Sequence, residues 1–97
     1  MLAPLTSASV VVTVKAKAEP VNVQLAPGKA YELVATVDAW VRQRRDNEEG
    51  DAAAGKDGSM LVLKGRVLTL TGYHGSVLSV VRDKADGIAV ITPLAEV

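Results

Sequence analysis

The residues that could do chemistry are few and scattered. His74 is the chain's one histidine, so a zinc site built on several imidazoles is excluded, and a hydrolytic triad would need it beside Ser76 with an acid brought from elsewhere. Bounded by Gly72 and Gly75, it reads instead as a polar residue in a turn. Asp46, Glu48, Glu49 and Asp51 crowd one stretch and Asp83 and Asp86 bracket another; calcium gathers such oxygens, but neither group follows the spacing of an EF-hand loop. Gly72 and Gly75 have no amphipathic helix behind them, which a phosphate loop requires. No paired acid and base stands at a recognisable spacing. The expectation is a non-enzymatic chain with no catalytic residue, cofactor or metal.

Arg42, Arg44 and Arg45 form the one compact basic cluster, and the acids that follow at once cancel it. Eleven basic against eleven acidic residues leave a formal charge of zero, and one Trp with two Tyr offers no stacking platform. Nucleic acid is therefore not an expected partner. Trp40, beside the arginines, is either a packer at the edge of the core or an interface anchor, and the first reading is preferred. The run Val10 to Val14 is broken by Thr13 and followed by Lys15 and Lys17, far short of the ~20 apolar residues of a membrane span. No basic residue precedes that run, so a secretory signal is not expected either, and the chain reads as made and used without secretion. Absence of cysteine excludes disulfides, thiolate metal sites and cysteine nucleophiles.

What must position these residues is a single domain, since 97 residues sit at the low end of the ~100 to 150 of a usual core. A hydrophobic share of 48% exceeds that of disordered chains. Residues 9 to 18 place Val10, Val12, Val14 and Ala16 on one side and Val11, Thr13, Lys15 and Lys17 on the other, the period of a strand. A second strand, with Val21, Val23 and Leu25, ends at the turn Pro27-Gly28. In residues 31 to 43, Leu33, Val37 and Val41 could form a helical stripe. Alternation of Tyr31, Leu33, Ala35, Val37, Ala39 and Val41, with Val and Thr content, predicts one strand over 31 to 41.

Residues 42 to 58 carry glycines, arginines and acids without an apolar face and predict a long charged loop, solvated, mobile or held against a partner. Two strands follow in 59 to 64 and 66 to 71. Residues 76 to 83 and 88 to 92 then predict a hairpin about Lys84 to Gly87, because Asp-Gly between alternating apolar residues is a strong turn signal. About seven strands with no sequence for crossover helices imply an all-β, antiparallel sandwich, jelly-roll or immunoglobulin-like, over a thin core of Val, Leu and Ala. One strand of that sandwich, Val10 to Val14, is apolar on both sides, so Val11 must meet something beyond the core. Residues 1 to 8, apolar with Pro4, read as an extended arm able to lie along a neighbour's sheet edge. The expected contact residues are Leu2, Leu5, Val11, Trp40, Arg42, Arg44 and Arg45.

Three stretches together resemble a group of short virion proteins of tailed bacteriophages. In that group a strand of the form Y-x-L-x-A-x-x-D-x-W/H-V-R leads into a loop, a D-G-S-M/x-L strand and a closing V-x-R-D-x-A-D-G-x-x-x-I-T hairpin. Tyr31, Leu33, Ala35, Asp38, Trp40, Val41 and Arg42 match the first, Asp57, Gly58, Ser59, Met60 and Leu61 the second, and Val80, Arg82, Asp83, Ala85, Asp86, Gly87, Ile91 and Thr92 the third. The likeness spans roughly the last two thirds of the chain, and its loop is longer and more charged than the pattern. It implies a structural component of the particle, a capsid decoration or cement protein on the head exterior that bridges capsomers, made in the host cytoplasm. Its implied partner is the major capsid protein or another virion protein, with assembly as a homo-oligomer, a trimer at threefold positions. The competing expectation is a glycan- or receptor-binding sandwich of a head or tail fibre, for which Trp40 and Tyr73 are the available aromatic pair.

Overall fold

The structure, a computed structural model, describes residues 2–14, 21–45, 52–53, 55, 58–73 and 76–96. It contains β1 (Leu2–Pro4), a 3-10 turn (Thr6–Ala8), β2 (Val10–Val14), β3 (Val21–Gln24), β4 (Ala30–Ala35), β5 (Ala39–Arg45), β6 (Met60–Val62), β7 (Leu68–Thr71), β8 (Ser76–Arg82) and β9 (Gly87–Glu96). Two sheets stack. The terminal sheet runs β1/β2, β9, β4, β7, with β1 and β2 end to end along one side of β9; the tip sheet runs β3, β8, β5, β6.

Every pair is antiparallel, and the pairing has a simple rule: β2 with β9, β3 with β8, β4 with β7 and β5 with β6. The chain is thus one long hairpin whose tip is the β5–β6 connection, rolled until β4 also meets β9 and β5 also meets β8. That is the jelly roll, the first of the two sandwich types expected. Nine strands appear rather than about seven because β1 is added and the stretch 31 to 41 divides.

Residues 31 to 41 are not one strand. β4 lies in the terminal sheet and β5 in the tip sheet, with Thr36 to Asp38 crossing the end of the sandwich. Tyr31, Leu33 and Ala35 face the core from one side, Ala39 and Val41 from the other, so alternation passes unbroken through the corner. The crossing is pinned: the Thr36 N–H donates to the Ile88 carbonyl at 2.9 Å, the Asp38 carboxylate accepts from the Lys64 N–H at 2.8 Å, and the Asp38 carbonyl accepts from the Asp83 N–H at 3.1 Å.

The expected hairpin over 76 to 92 does not form either. β8 and β9 belong to different sheets, and Asp83 to Asp86 cross between them. Gly87 is absent from the glycines of positive φ. A Cβ there would stand 2.7 Å from Thr36 Oγ1 and 2.8 Å from both Val37 methyls. Its role is close approach of two corners, not the left-handed backbone of a tight turn.

Between the sheets lie Val14, Leu25, Leu33, Leu78, Val80 and Ile91, each at most 1% exposed. Tyr31 is the one aromatic among the described core residues, and its hydroxyl accepts from the Ala26 N–H at 2.8 Å. Small side chains in two layers give the thin core that the Val, Leu and Ala content requires.

Candidate docking faces of the sandwich

The outer side of the tip sheet is covered. Alternation along β5 turns Trp40, Arg42 and Arg44 outward, opposite Val81, Ser79 and Val77 of β8. These three β8 residues are nonetheless 0%, 0% and 7% exposed, so β8 is buried on both sides. The cover includes Ala52, 2% exposed, whose N–H donates to Ser79 Oγ at 2.8 Å. Beside it the Ala53 N–H donates to Ser59 Oγ at 3.1 Å. The stretch 42 to 58 therefore corrects its reading as a solvated loop at two places: 42 to 45 are strand, and 52 to 53 return onto the chain's own sheet. Asp46, Glu48, Glu49 and Asp51 fall outside the described residues, as does His74.

Each outward side chain of β5 is engaged nearby. The half-buried Trp40 donates its indole N–H to Asp83 Oδ1 at 2.9 Å. Arg42 lies against Gly58, where an added Cβ would meet its Cζ at 3.4 Å. Arg44 Nη1 donates to the Arg45 carbonyl at 3.2 Å, and the Arg45 guanidinium sits 5.8 Å from the centre of the Tyr73 ring. Trp40 and Arg45 are five residues apart on one strand, about 16 Å, so Trp40 and Tyr73 do not stand together as a sugar platform.

The outer side of the terminal sheet is bare of cover among the described residues, with Val34 and Val90 half-buried at its middle. Register places Val11 beside Val90 and Val90 beside Val34, an apolar row across three strands. The next row carries Thr13 and Ile88. On its other flank lie Thr92, Glu32 and Thr69, with Ser9 and Thr92 sharing a hydroxyl contact at 2.9 Å. Leu2 and Pro4 extend the face along β9, opposite Glu96 and Leu94. Val11 is 62% exposed, the highest of the exposed large apolar residues, with Leu2 at 51% and Ile88 at 42%. Among the described side chains of this face, Glu32 is the one charge.

The seven expected contact residues are thus divided. Leu2 and Val11 lie on the terminal sheet, with Leu5 beside β1; Trp40, Arg42 and Arg44 face outward from the tip sheet, and Arg45 ends the same strand. They lie on opposite sheets of the sandwich. Residues 2 to 8, expected as an arm for a neighbour, pair with their own chain: β1 lies along β9 and the Leu5 N–H donates to the Pro93 carbonyl at 2.8 Å.

Val34, Ile88 and Val90 were missed, although IAVIT carries the signal that singled out Val11: apolar residues at both parities of one strand. Also missed was an apolar ridge of Met60, Leu61, Leu63 and Val67, each between 40% and 57% exposed. Two clefts of about 250 Å³ open elsewhere, one between the corners at Thr36, Asp38, Lys64 and Lys84, the other between β6 and β7 over Val41, Leu70 and Leu78. Among the described residues no three His, Cys, Asp or Glu gather as a metal site, and no helix is long and apolar enough to cross a membrane. Comparison with protein-family models, with curated proteins and with solved structures finds no match.

Proposed function

We propose that this chain is a non-enzymatic structural component of a tailed-phage particle, a capsid decoration or cement protein whose terminal-sheet face lies on the head exterior and stabilises capsomer contacts. The observation that carries the proposal is that face: the exposed Val11 and Ile88 and the half-buried Val34 and Val90 form an apolar patch with Glu32 as the one charge among its described side chains, on a sandwich whose other outer face is covered over β8. Exposed apolar patches of this kind mark protein contacts. The sequence resemblance names the shell as the surface met, with the major capsid protein or another virion protein as partner. Jelly rolls serve in viral capsids but also in lectins and cupins, so the architecture accommodates the reading without choosing it.

The test is co-sedimentation of purified chain with particles lacking it. Ile88→Asp puts a charge in the row beside Val90 on an exposed position, and attachment should fall at least roughly tenfold while the circular dichroism spectrum is unchanged. Undiminished attachment of the folded variant would remove the terminal sheet from the contact.

A further inference from the structure

Register arranges the outer side of the terminal sheet as a grid of cross-strand rows. One row is polar: Thr69, Glu32 and Thr92 stand side by side on β7, β4 and β9, and Ser9 joins the row through its hydroxyl contact with Thr92. Two residues along the strands, about 7 Å away, lies the apolar row of Val34, Val90 and Val11. At the same spacing on the other side lie Ala30, Leu94 and Pro4. Glu32 therefore stands between two apolar rows rather than at a rim, and a surface that covers both rows covers its carboxylate too. The residue is half-buried and makes no hydrogen bond or ion pair with any described residue. Lys29, three residues before it, and Arg66, three before Thr69, are exposed and not bonded to it. Lys15 and Lys17 follow β2 outside the described residues, and Val14, the end of that strand, stands opposite Gly87, five residues along β9 from Thr92 or about 17 Å. Glu96 ends β9 opposite Leu2 and adds no cation.

We infer that the protein surface covering this face presents a basic side chain opposite Glu32, set between two apolar strips, and that this ion pair fixes the orientation in which the chain attaches. Covering Val11, Val34 and Val90 is favourable, but a carboxylate taken out of water at the same moment is costly unless it is paired and hydrogen-bonded. Both conditions are met together only when the partner brings the cation, because no described residue of this chain supplies one. A second copy of the chain does not supply it either: two terminal sheets stacked face to face put two Glu32 carboxylates and no described cation into one interface, and like charges so placed oppose association. The inference rests on the functional reading, whose face it uses, and adds the chemistry of the partner.

Attachment of the full-length Glu32→Gln variant to particles lacking the chain tests it, because a partner with the cation and a partner without it give effects of opposite sign. Neutralising Glu32 opposite a cation leaves that cation covered and unpaired, so attachment should fall at least roughly thirtyfold, and Glu32→Lys should lower it further, with the circular dichroism spectrum unchanged in both. On a surface without a cation the same change only relieves a dehydration cost, so attachment equal to wild type or tighter would overturn the inference. Glu32→Asp keeps the charge on a side chain one methylene shorter and should attach more tightly than Glu32→Gln; an aspartate no better than the glutamine would show that the charge is not what the partner reads. Self-association of the free chain that Ile88→Asp abolishes would place a second copy on the face and overturn the inference as well. Undiminished attachment of Glu32→Gln while Ile88→Asp detaches removes this inference alone; undiminished attachment of Ile88→Asp removes the functional reading.

Discussion

β8 and β2 carry the same signal, apolar or small residues at both parities, and meet different fates. In β8 every residue from Ser76 to Val81 is buried, whereas β2 buries Val14 and leaves Val10 and Val11 exposed. The connections account for this. Within the fourteen residues between β5 and β6, Ala52 lies on the tip sheet, where its N–H meets Ser79 Oγ. Where β1 and β2 meet, the five residues Leu5 to Ser9 join them through one 3-10 turn, too short to return over the terminal sheet. A strand apolar on both sides therefore announces a cover without saying whether the chain itself supplies it.

The same substitution on the two faces separates them most sharply. Val81→Asp sets a carboxylate where the native side chain is 0% exposed and should cost roughly 3 kcal/mol or more in urea unfolding. Val11→Asp, on the bare face, should change stability by about 0.5 kcal/mol or less while weakening attachment to particles. Equal losses at both positions would mean that the terminal sheet is covered as well.

A smaller effect probes the cover itself. Ser79→Ala removes the acceptor for a buried N–H at 2.8 Å, and the orphaned donor should cost about 1 to 3 kcal/mol. Amide hydrogen exchange at Ala52 should accelerate in step. Unchanged protection there would show that Ala52 is held by something other than Ser79. Smallest of all is Arg82→Ala: its ion pair with Asp86 spans 2.6 Å, but the two side chains are 36% and 64% exposed, so the loss should stay within about 0.5 kcal/mol and shrink with salt.

Period two was enough to read most of the strands and the small-residue core, because each depends on alternation within a few residues, and the lack of sequence for crossover helices made the pairing antiparallel. Sheet membership was not legible, since alternation is blind to a corner that preserves parity, as at Thr36 to Asp38. The Asp86-Gly87 pair misled for a related reason: glycine suits a tight turn and a crowded crossing equally, and only the Thr36 and Val37 side chains 2.7 to 2.8 Å from its missing Cβ distinguish them. Val11 was legible as an exposed apolar residue because its own strand shows it. Its neighbours Val34 and Val90 come from strands more than twenty residues away, and cross-strand rows require a register that spacing alone cannot supply.

The most direct measurement uses the chain's lack of cysteine, which lets a single introduced thiol report on one face. Ile88→Cys on the terminal sheet and Asn22→Cys at the exposed outer edge of the tip sheet are alkylated in the free protein and again when bound to particles. The account predicts that position 88 reacts freely in solution and is protected on the particle while position 22 reacts in both. Equal reactivity of position 88 in the two states would contradict it.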